Sequence, residues 1–81
     1  MEERTTEQLA QDYSAMGDSV AVITDVIAGD SMAEDDAADR QDCVDRNTQH
    51  LELMKAKDDW GSESMTATTS AITAGNGYTA S

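Results

Sequence analysis

Two copies of Gly-Asp-Ser, at residues 17–19 and 29–31, are the stretches of this chain that most invite a chemical reading. A serine nucleophile needs a general base beside it and separate hydrogen-bond donors for the oxyanion. The only histidine is His50, and the apolar spacing before each glycine is that of a helix rather than of a buried strand. We therefore interpret Ser19 and Ser31 as helix-interior or helix-capping residues, and we expect no catalytic residue.

The acidic stretch at residues 30–42 raises the question of a calcium site, because hard cations bind carboxylate oxygens. An EF-hand loop needs glycine at its sixth position and glutamate at its twelfth. A loop begun at Asp30 has Asp35 and Gln41 there instead. A solvated acidic face is the favoured interpretation, and a weak cation site between subunits is the alternative. The carboxylates that would share that helix face are Asp35, Asp39 and Asp42.

Cys43 and His50 are seven residues apart and so lie on roughly the same side of a helix. Two such side chains do not complete a zinc site, which takes four ligands. A single cysteine also cannot form a disulfide within the chain. We expect Cys43 and His50 to be packing or partly exposed residues, and we expect neither a metal nor a cofactor.

Apolar side chains predict the first helix. They recur at every third or fourth position, which is the spacing of one helix face, at Leu9, Tyr13, Met16, Val20, Ile23 and Ile27. Thr5 and Gln8 fit a capping box, and Gly29 fits a left-handed C-terminal position, so the helix should cover residues 6–28. Gly17 leaves open a break with Asp18 or Ser19 as a new cap, but the continuous stripe favours one helix.

A second helix is predicted over residues 32–57, capped by Asp30 or Ser31 with Glu34 completing Ser-x-x-Glu. Arg40 and Asn47 fall on its inner side, where they would set the register by polar contacts to Asp residues or to backbone. The full inward set is Ala33, Ala37, Arg40, Val44, Asn47, Leu51 and Met54.

A third, shorter helix is predicted over residues 62–74, and residues 75–81 form a tail after it. The expected fold is all-α: an antiparallel helical hairpin plus the third helix, which together make a three-helix bundle. The whole chain, residues 1–81, is expected to be a single helical domain.

Charge is distributed unevenly and excludes several classes of function. The formal net charge is −12, yet residues 64–81 carry no charged side chain. An acidic surface disfavours binding to nucleic-acid phosphates and to anionic membranes. The N-terminal residues do not resemble a secretory signal, and the longest apolar run, residues 20–23, is too short to span a bilayer. We expect a soluble protein with no nucleic-acid, membrane or small-molecule partner.

The uncharged C-terminal part supplies the candidate partner-binding residues. Aromatic side chains are enriched at interface anchors; Trp60 lies shortly before this part of the chain, and Tyr78 lies near its C-terminal end. Met65 and Ile72 fall on one side of the third helix. The candidate set is therefore Trp60, Met65, Ile72 and Tyr78, held in contact with neighbouring subunits. For Trp60 the alternative is that it closes the bottom of the bundle.

Three segments, RTTEQLAQDYSAMGDSVAVI, GDSMAEDDAADRQDCVDRNTQHLELM and DDWGSESMTA, resemble short acidic proteins of unassigned activity encoded by tailed phages of marine cyanobacteria. The resemblance covers most of the chain and implies no catalytic residue. It leads us to expect a non-enzymatic virion component, made in the host cytoplasm, that decorates the capsid or belongs to the tail. Its partners would be other virion proteins or copies of itself. The alternative is an acidic phage inhibitor that mimics nucleic acid and blocks a host nucleic-acid-binding protein.

Overall fold

The computed structural model describes residues 4–81, which form three helices: α1 (Thr6–Ala28), α2 (Ala37–Lys55) and α3 (Thr66–Gly77). Each helix contacts the other two, and residues 4–81 contain no strand. The predicted all-α three-helix bundle is confirmed. Residues 1–3 of the predicted domain lie outside the described residues.

Helix α1 has the bounds that its capping residues predict. The Thr5 hydroxyl accepts a hydrogen bond from the Gln8 N–H at 3.1 Å, and the Gln8 side chain accepts one from the Thr5 N–H at 2.8 Å. At the other end Gly29 has φ +82°, and its N–H donates to Val26 O. Glycine adopts this left-handed conformation without the steric cost that a Cβ imposes. The helix continues through Gly17 without a break.

The core lies where the apolar faces of α1 and α2 meet, and both Ile23 and Leu51 are fully buried. Its buried apolar members are Met16, Ile23, Val26, Val44, Leu51, Met54, Trp60 and Ala71. The expected inward position of Ile27 is wrong: the residue is 38% exposed. Val26 is the buried residue near the C-terminal end of α1 instead. Over the last turn, the residue that faces the core is one position earlier in the chain than the predicted stripe places it.

Helix α2 begins later than the sequence predicts. The stretch from residue 29 to residue 36 forms the loop, and Asp36, not Asp30 or Ser31, occupies the N-cap position of α2. Met32 adopts φ 58° within this loop, and its side chain packs against the core. Ala33, predicted to face inward, is therefore exposed in the loop. Helix α2 ends at Lys55 rather than at residue 57.

Helix α3 is shifted towards the C-terminus relative to the predicted residues 62–74. The chain between α2 and α3 turns at Gly61, which has φ +65°, and this turn brings Trp60 into the core before the helix starts at Thr66. Gly75 was expected to end the helix but lies buried inside it. A Cβ at Gly75 would overlap the Thr48 hydroxyl, so glycine permits α3 to approach α2 closely there.

Candidate protein-binding surface

Trp60 is a core residue and not an exposed anchor. Its side chain is 7% exposed, and its indole Nε1–H donates to Met54 O at 2.9 Å. The ring packs against Tyr13 with centroids 6.1 Å apart and planes tilted by 59°. Of the two interpretations offered for Trp60, the one in which it closes the bottom of the bundle agrees with this packing. A buried indole with its donor satisfied presents nothing to a partner.

Arg4 covers the outer side of Trp60, an arrangement that sequence reasoning missed. Its guanidinium carbon lies 4.3 Å from the Trp60 ring centroid, within the range of a cation–π interaction. The same group donates to Asp12 at 2.7 Å and, through Nε, to Asp59 at 2.9 Å. The hydrogen bond from Arg4 lowers the pKa of Asp59, and the bond to Asp59 raises the pKa of Arg4.

The other three candidate residues, Met65, Ile72 and Tyr78, are partly buried and pack against the core. The four candidates therefore do not form one exposed apolar patch. The sequence pointed to these four residues because they lie in or beside the uncharged segment. In the structure those positions fall on the inner side of α3 and in the chain just before and after that helix. Whether such a residue is buried or exposed depends on the register of α3 against α2. The periodicity of a single sequence does not contain that register.

The segment after α3 is held by α2 within the same chain. The Gln41 side chain donates to Tyr78 O at 3.2 Å and accepts from the Ala80 N–H at 2.8 Å. Arg40 donates to Ser81 O at 2.8 Å and to Asp35 O at 3.3 Å. The expected polar contacts of Arg40 to backbone are thus present. One of the two backbone partners of Arg40, Ser81 O, belongs to the C-terminal tail.

The outward side of α3 is the part of the molecule that carries no charge. From Ser64 to Ser81 the only side chain with an ionisable group is that of Tyr78. The exposed residues of the helix are small and mostly hydroxylated or apolar: Thr66, Ala67, Thr69, Ser70, Thr73, Ala74, Asn76 and Gly77. We call this set the α3 face.

Carboxylates occupy the outward sides of α1 and α2 instead. Along the two helices the exposed acidic residues are Glu7, Asp18, Asp25, Asp39, Asp42, Asp45 and Glu52. Arg46 and Asp42 form an ion pair at 2.9 Å in which both side chains are exposed. Such surface pairs contribute about 0 to 1 kcal/mol to the stability of the fold. The bundle therefore has two acidic helices and one uncharged helix.

Ser19 contacts His50, a pairing that sequence reasoning also missed. Ser19 Oγ lies 2.9 Å from His50 Nδ1, and the serine is 6% exposed. Serine and histidine at this distance are the first requirement of a nucleophile and its base. Ser19, however, sits in the middle of α1, where backbone N–H groups bond carbonyls of the same helix and leave no oxyanion donors. The geometry is that of a polar link between α1 and α2.

Within residues 4–81 no group of three or more His, Cys, Asp or Glu side chains is placed to hold a metal ion. Cys43 is partly buried, and its carbonyl accepts a hydrogen bond from Asn47 at 2.8 Å. Over the same residues no helix combines the length and the apolar character needed to cross a membrane. Comparison of the chain with protein-family models, with curated proteins and with solved structures finds no match.

Proposed function

We propose that the protein is a non-enzymatic structural subunit of a phage virion, which decorates the capsid or belongs to the tail and acts by protein–protein contacts. The phage context comes from the sequence resemblance described above. The contact role is supported by a single observation, the absence of charge from the α3 face on a chain of net charge −12.

Desolvation explains why the α3 face is the side that suits an interface. Burying an ionised carboxylate without a partner costs several kcal/mol, and α1 and α2 carry exposed carboxylates along their length. The hydroxyls and methyl groups of the α3 face incur no such cost, because hydroxyls can exchange water for a hydrogen bond across an interface. The partners would be other virion proteins or further copies of the chain, and the site of action would be the virion.

A carboxylate introduced on the α3 face tests this proposal. Ala74 is an exposed alanine of α3, and Ala38 is an exposed alanine of α2. Ala74→Glu should reduce the amount of the protein in purified particles by about tenfold or more, because an interface residue would then be charged. Ala38→Glu adds the same charge to an acidic helix and should be incorporated at the normal level. Equal incorporation of both variants would place the contact surface elsewhere.

A second function, inhibition by mimicry of nucleic acid, is favoured by the dimensions of the bundle. It measures 42 × 21 × 19 Å, and residues 4–81 carry a formal net charge of −10, which over that length is roughly one charge per 4.2 Å, near the one charge per about 3.4 Å of a single DNA strand. This function predicts a salt-sensitive complex with a basic host protein that duplex DNA displaces. It also predicts that neutralising pairs of exposed carboxylates on α1 and α2 weakens the complex, whereas Ala74→Glu leaves it unchanged.

A further inference from the structure

The loop between α1 and α2, residues 29–36, contains a strained backbone position. Met32 has φ 58°, and among residues 4–81 it is the one residue other than glycine with a positive φ. Glycine takes this left-handed conformation freely, whereas a residue with a Cβ is crowded there. Such strain persists only where the surrounding structure holds the residue in place. The loop therefore needs a contact that holds Met32.

The side chain of Met32 supplies that contact. It is partly buried and packs against the core, whereas the loop residues that follow it, 33–36, are exposed. The hydrogen bond from Asp35 N–H to Met32 O, at 3.1 Å, lies within the loop itself. The bond from Arg40 to Asp35 O, at 3.3 Å, is exposed to water. The apolar attachment of this loop to the core is thus one thioether side chain.

The methionines of the described chain differ in how easily an oxidant reaches them. Met16 is 1% exposed and Met54 is 9% exposed, whereas Met32 and Met65 are only partly buried. Oxidants reach an accessible thioether sulfur more easily than a buried one. Met65 also packs against the core, but its backbone is ordinary, with φ −107°. Met32 alone combines an accessible side chain with a strained backbone.

We propose that Met32 is an oxidation site at which hydrogen peroxide releases the loop between α1 and α2. The sulfur attacks one oxygen of the peroxide, so that an S–O bond forms while the O–O bond breaks. The other oxygen leaves as hydroxide and takes the proton of the transferred oxygen, which gives water. The sulfur is oxidised by two electrons to the sulfoxide, and the peroxide is reduced by the same two electrons.

The sulfoxide releases the loop because it changes an apolar side chain into a polar one. A polar group packed on an apolar core loses its hydrogen bonds to water without replacement. The oxidised side chain therefore leaves the core, and the backbone at Met32 relaxes from its left-handed conformation. Thiol-dependent methionine sulfoxide reductases reverse the step: the oxygen leaves as water, and two thiols become a disulfide. This site does not depend on a role in a virion.

Two variants test whether Met32 is the reactive site, because each keeps one of the two accessible methionines. Met65→Leu keeps Met32, and Met32→Leu keeps Met65; leucine and methionine have similar volumes, so both chains should fold. The folded chains are treated with hydrogen peroxide, and peptide mass spectrometry follows each methionine. In the Met65→Leu chain, Met32 should be oxidised about tenfold faster than Met16 and Met54, or faster still. Equal rates at the three sites overturn the proposal.

Release of the loop is measured by cleavage with a glutamate-specific protease. Glu34 lies in the loop, and Glu52 lies in α2 as the internal control. A protease cleaves a folded chain where the chain opens locally. Oxidation of the Met65→Leu chain should therefore speed cleavage after Glu34 by about tenfold or more and leave cleavage after Glu52 unchanged. Reductases for both sulfoxide epimers should restore the slow rate.

The Met32→Leu chain is the matched control, and oxidation should leave its cleavage after Glu34 unchanged. The proposal is wrong if oxidation speeds this cleavage equally in both chains, or in neither. It is also wrong if cleavage after Glu52 rises in step with cleavage after Glu34, because the whole bundle then unfolds rather than the loop alone.

A second pair of variants needs no oxidant and keeps the proposal falsifiable if a leucine variant does not fold. Met32→Gln places a polar side chain of similar length in the loop, and Met65→Gln does the same before α3. The ratio of cleavage after Glu34 to cleavage after Glu52 should rise about tenfold in Met32→Gln and stay at the wild-type value in Met65→Gln. Equal ratios in the two variants would show that the Met32 side chain does not hold the loop.

Discussion

At Gly75 the lack of a side chain determines how closely α3 approaches α2. The opposing residue is Thr48, which is buried and donates its hydroxyl to Val44 O at 2.7 Å. The hydroxyl is therefore fixed against its own helix and cannot move away without losing that bond. A glycine that looks like a helix terminator in the sequence is, in the bundle, a packing residue.

Replacing Gly75 by Ala should lower the free energy of unfolding by about 1 to 3 kcal/mol, the usual range for overpacking a core. Gly77 is the control, because a Cβ there meets nothing within 4 Å. Gly77→Ala should be neutral or stabilising by up to about 1 kcal/mol. Urea unfolding followed by circular dichroism measures both. Equal stability of the two variants would show that Gly75 and Thr48 do not limit the approach of the helices.

Asp59 should make stability depend on acidity through its bond with Arg4. The pKa of Asp59 in the folded chain lies below the ordinary value of 3.8. The pair therefore stabilises the fold fully above about pH 4, and this contribution is lost as the pH falls towards the folded-state pKa. The difference in unfolding free energy between the wild type and Asp59→Asn should be constant near neutral pH and shrink below about pH 4.

Asp58→Asn is the matched control for this measurement, since it removes the same charge from the adjacent, exposed position. The wild type and Asp58→Asn should differ little over the same range of pH. A difference for Asp59→Asn that stays constant down to pH 2 would mean that the bond with Arg4 does not stabilise the fold.

Ser19 should behave as a structural hydroxyl. Ser19→Ala removes the hydrogen bond to His50 and should lower the free energy of unfolding by about 0.5 to 1.5 kcal/mol. It should leave any esterase activity of a preparation unchanged, because no oxyanion donors adjoin the serine. Mass spectrometry after treatment with a serine-directed covalent probe checks this. Stoichiometric labelling of Ser19 would identify it as a nucleophile.

At the scale of elements, the loop between α1 and α2 depends on Gly29 and not on Ser31. Gly29 ends α1 in a left-handed conformation, and Asp30 N–H reaches back to Asp25 O at 2.8 Å. Ser31 lies in the loop, well before the N-cap at Asp36. The local motif Ser-x-x-Glu is present but is not used to start a helix.

Thermal or urea unfolding of two alanine variants distinguishes these roles. Gly29→Ala should destabilise the chain by about 1 kcal/mol or more, because a residue with Cβ is strained at φ +82°. Ser31→Ala should change the unfolding free energy by less than about 0.5 kcal/mol, as for an ordinary surface site. A loss of about 1 kcal/mol at Ser31 would restore its assignment as a helix cap.

The sequence predicts a helix boundary correctly where the contacts that fix the boundary are between neighbouring residues of the chain. The bounds of α1 are encoded locally by Thr5, Gln8 and Gly29, and periodicity predicted the burial of Ile23 and Leu51. The start of α2 and the end of α3 depend instead on contacts between distant parts of the chain. Met32 turns back onto the core, and Gly75 meets Thr48, so neither boundary is visible in a window of neighbouring residues.

The burial of the candidate partner-binding residues could not be predicted from the sequence for the same reason. Sequence reasoning identified an uncharged C-terminal segment, which is present, but chose its large apolar members. Those residues face inward because α3 has few other apolar side chains to bury, and Trp60 covers the end of the core. What remains outside is the α3 face of small residues. Similarly, Ser19 and His50 meet only in the register that α1 and α2 adopt.

At the scale of the whole molecule, the separation of charge is the property that the proposed function uses. Two helices carry the acidic side chains, and the third presents a surface without charge. In salt water, dissolved ions screen the repulsion among exposed carboxylates. At 1 M ionic strength the Debye length, over which this screening acts, is about 3 Å. Under the proposed function the acidic helices would remain hydrated, while the α3 face would make contact with other virion proteins.

The proposed virion role is tested most directly by quantitative mass spectrometry of purified particles, prepared from a phage whose genome carries this sequence. The proposal predicts a copy number in fixed ratio to the major structural proteins, unchanged after a second round of particle purification. An early inhibitor would be abundant in infected cells and essentially missing from particles. That second result, with the protein recovered in a salt-sensitive complex with a basic host protein, would contradict the structural role.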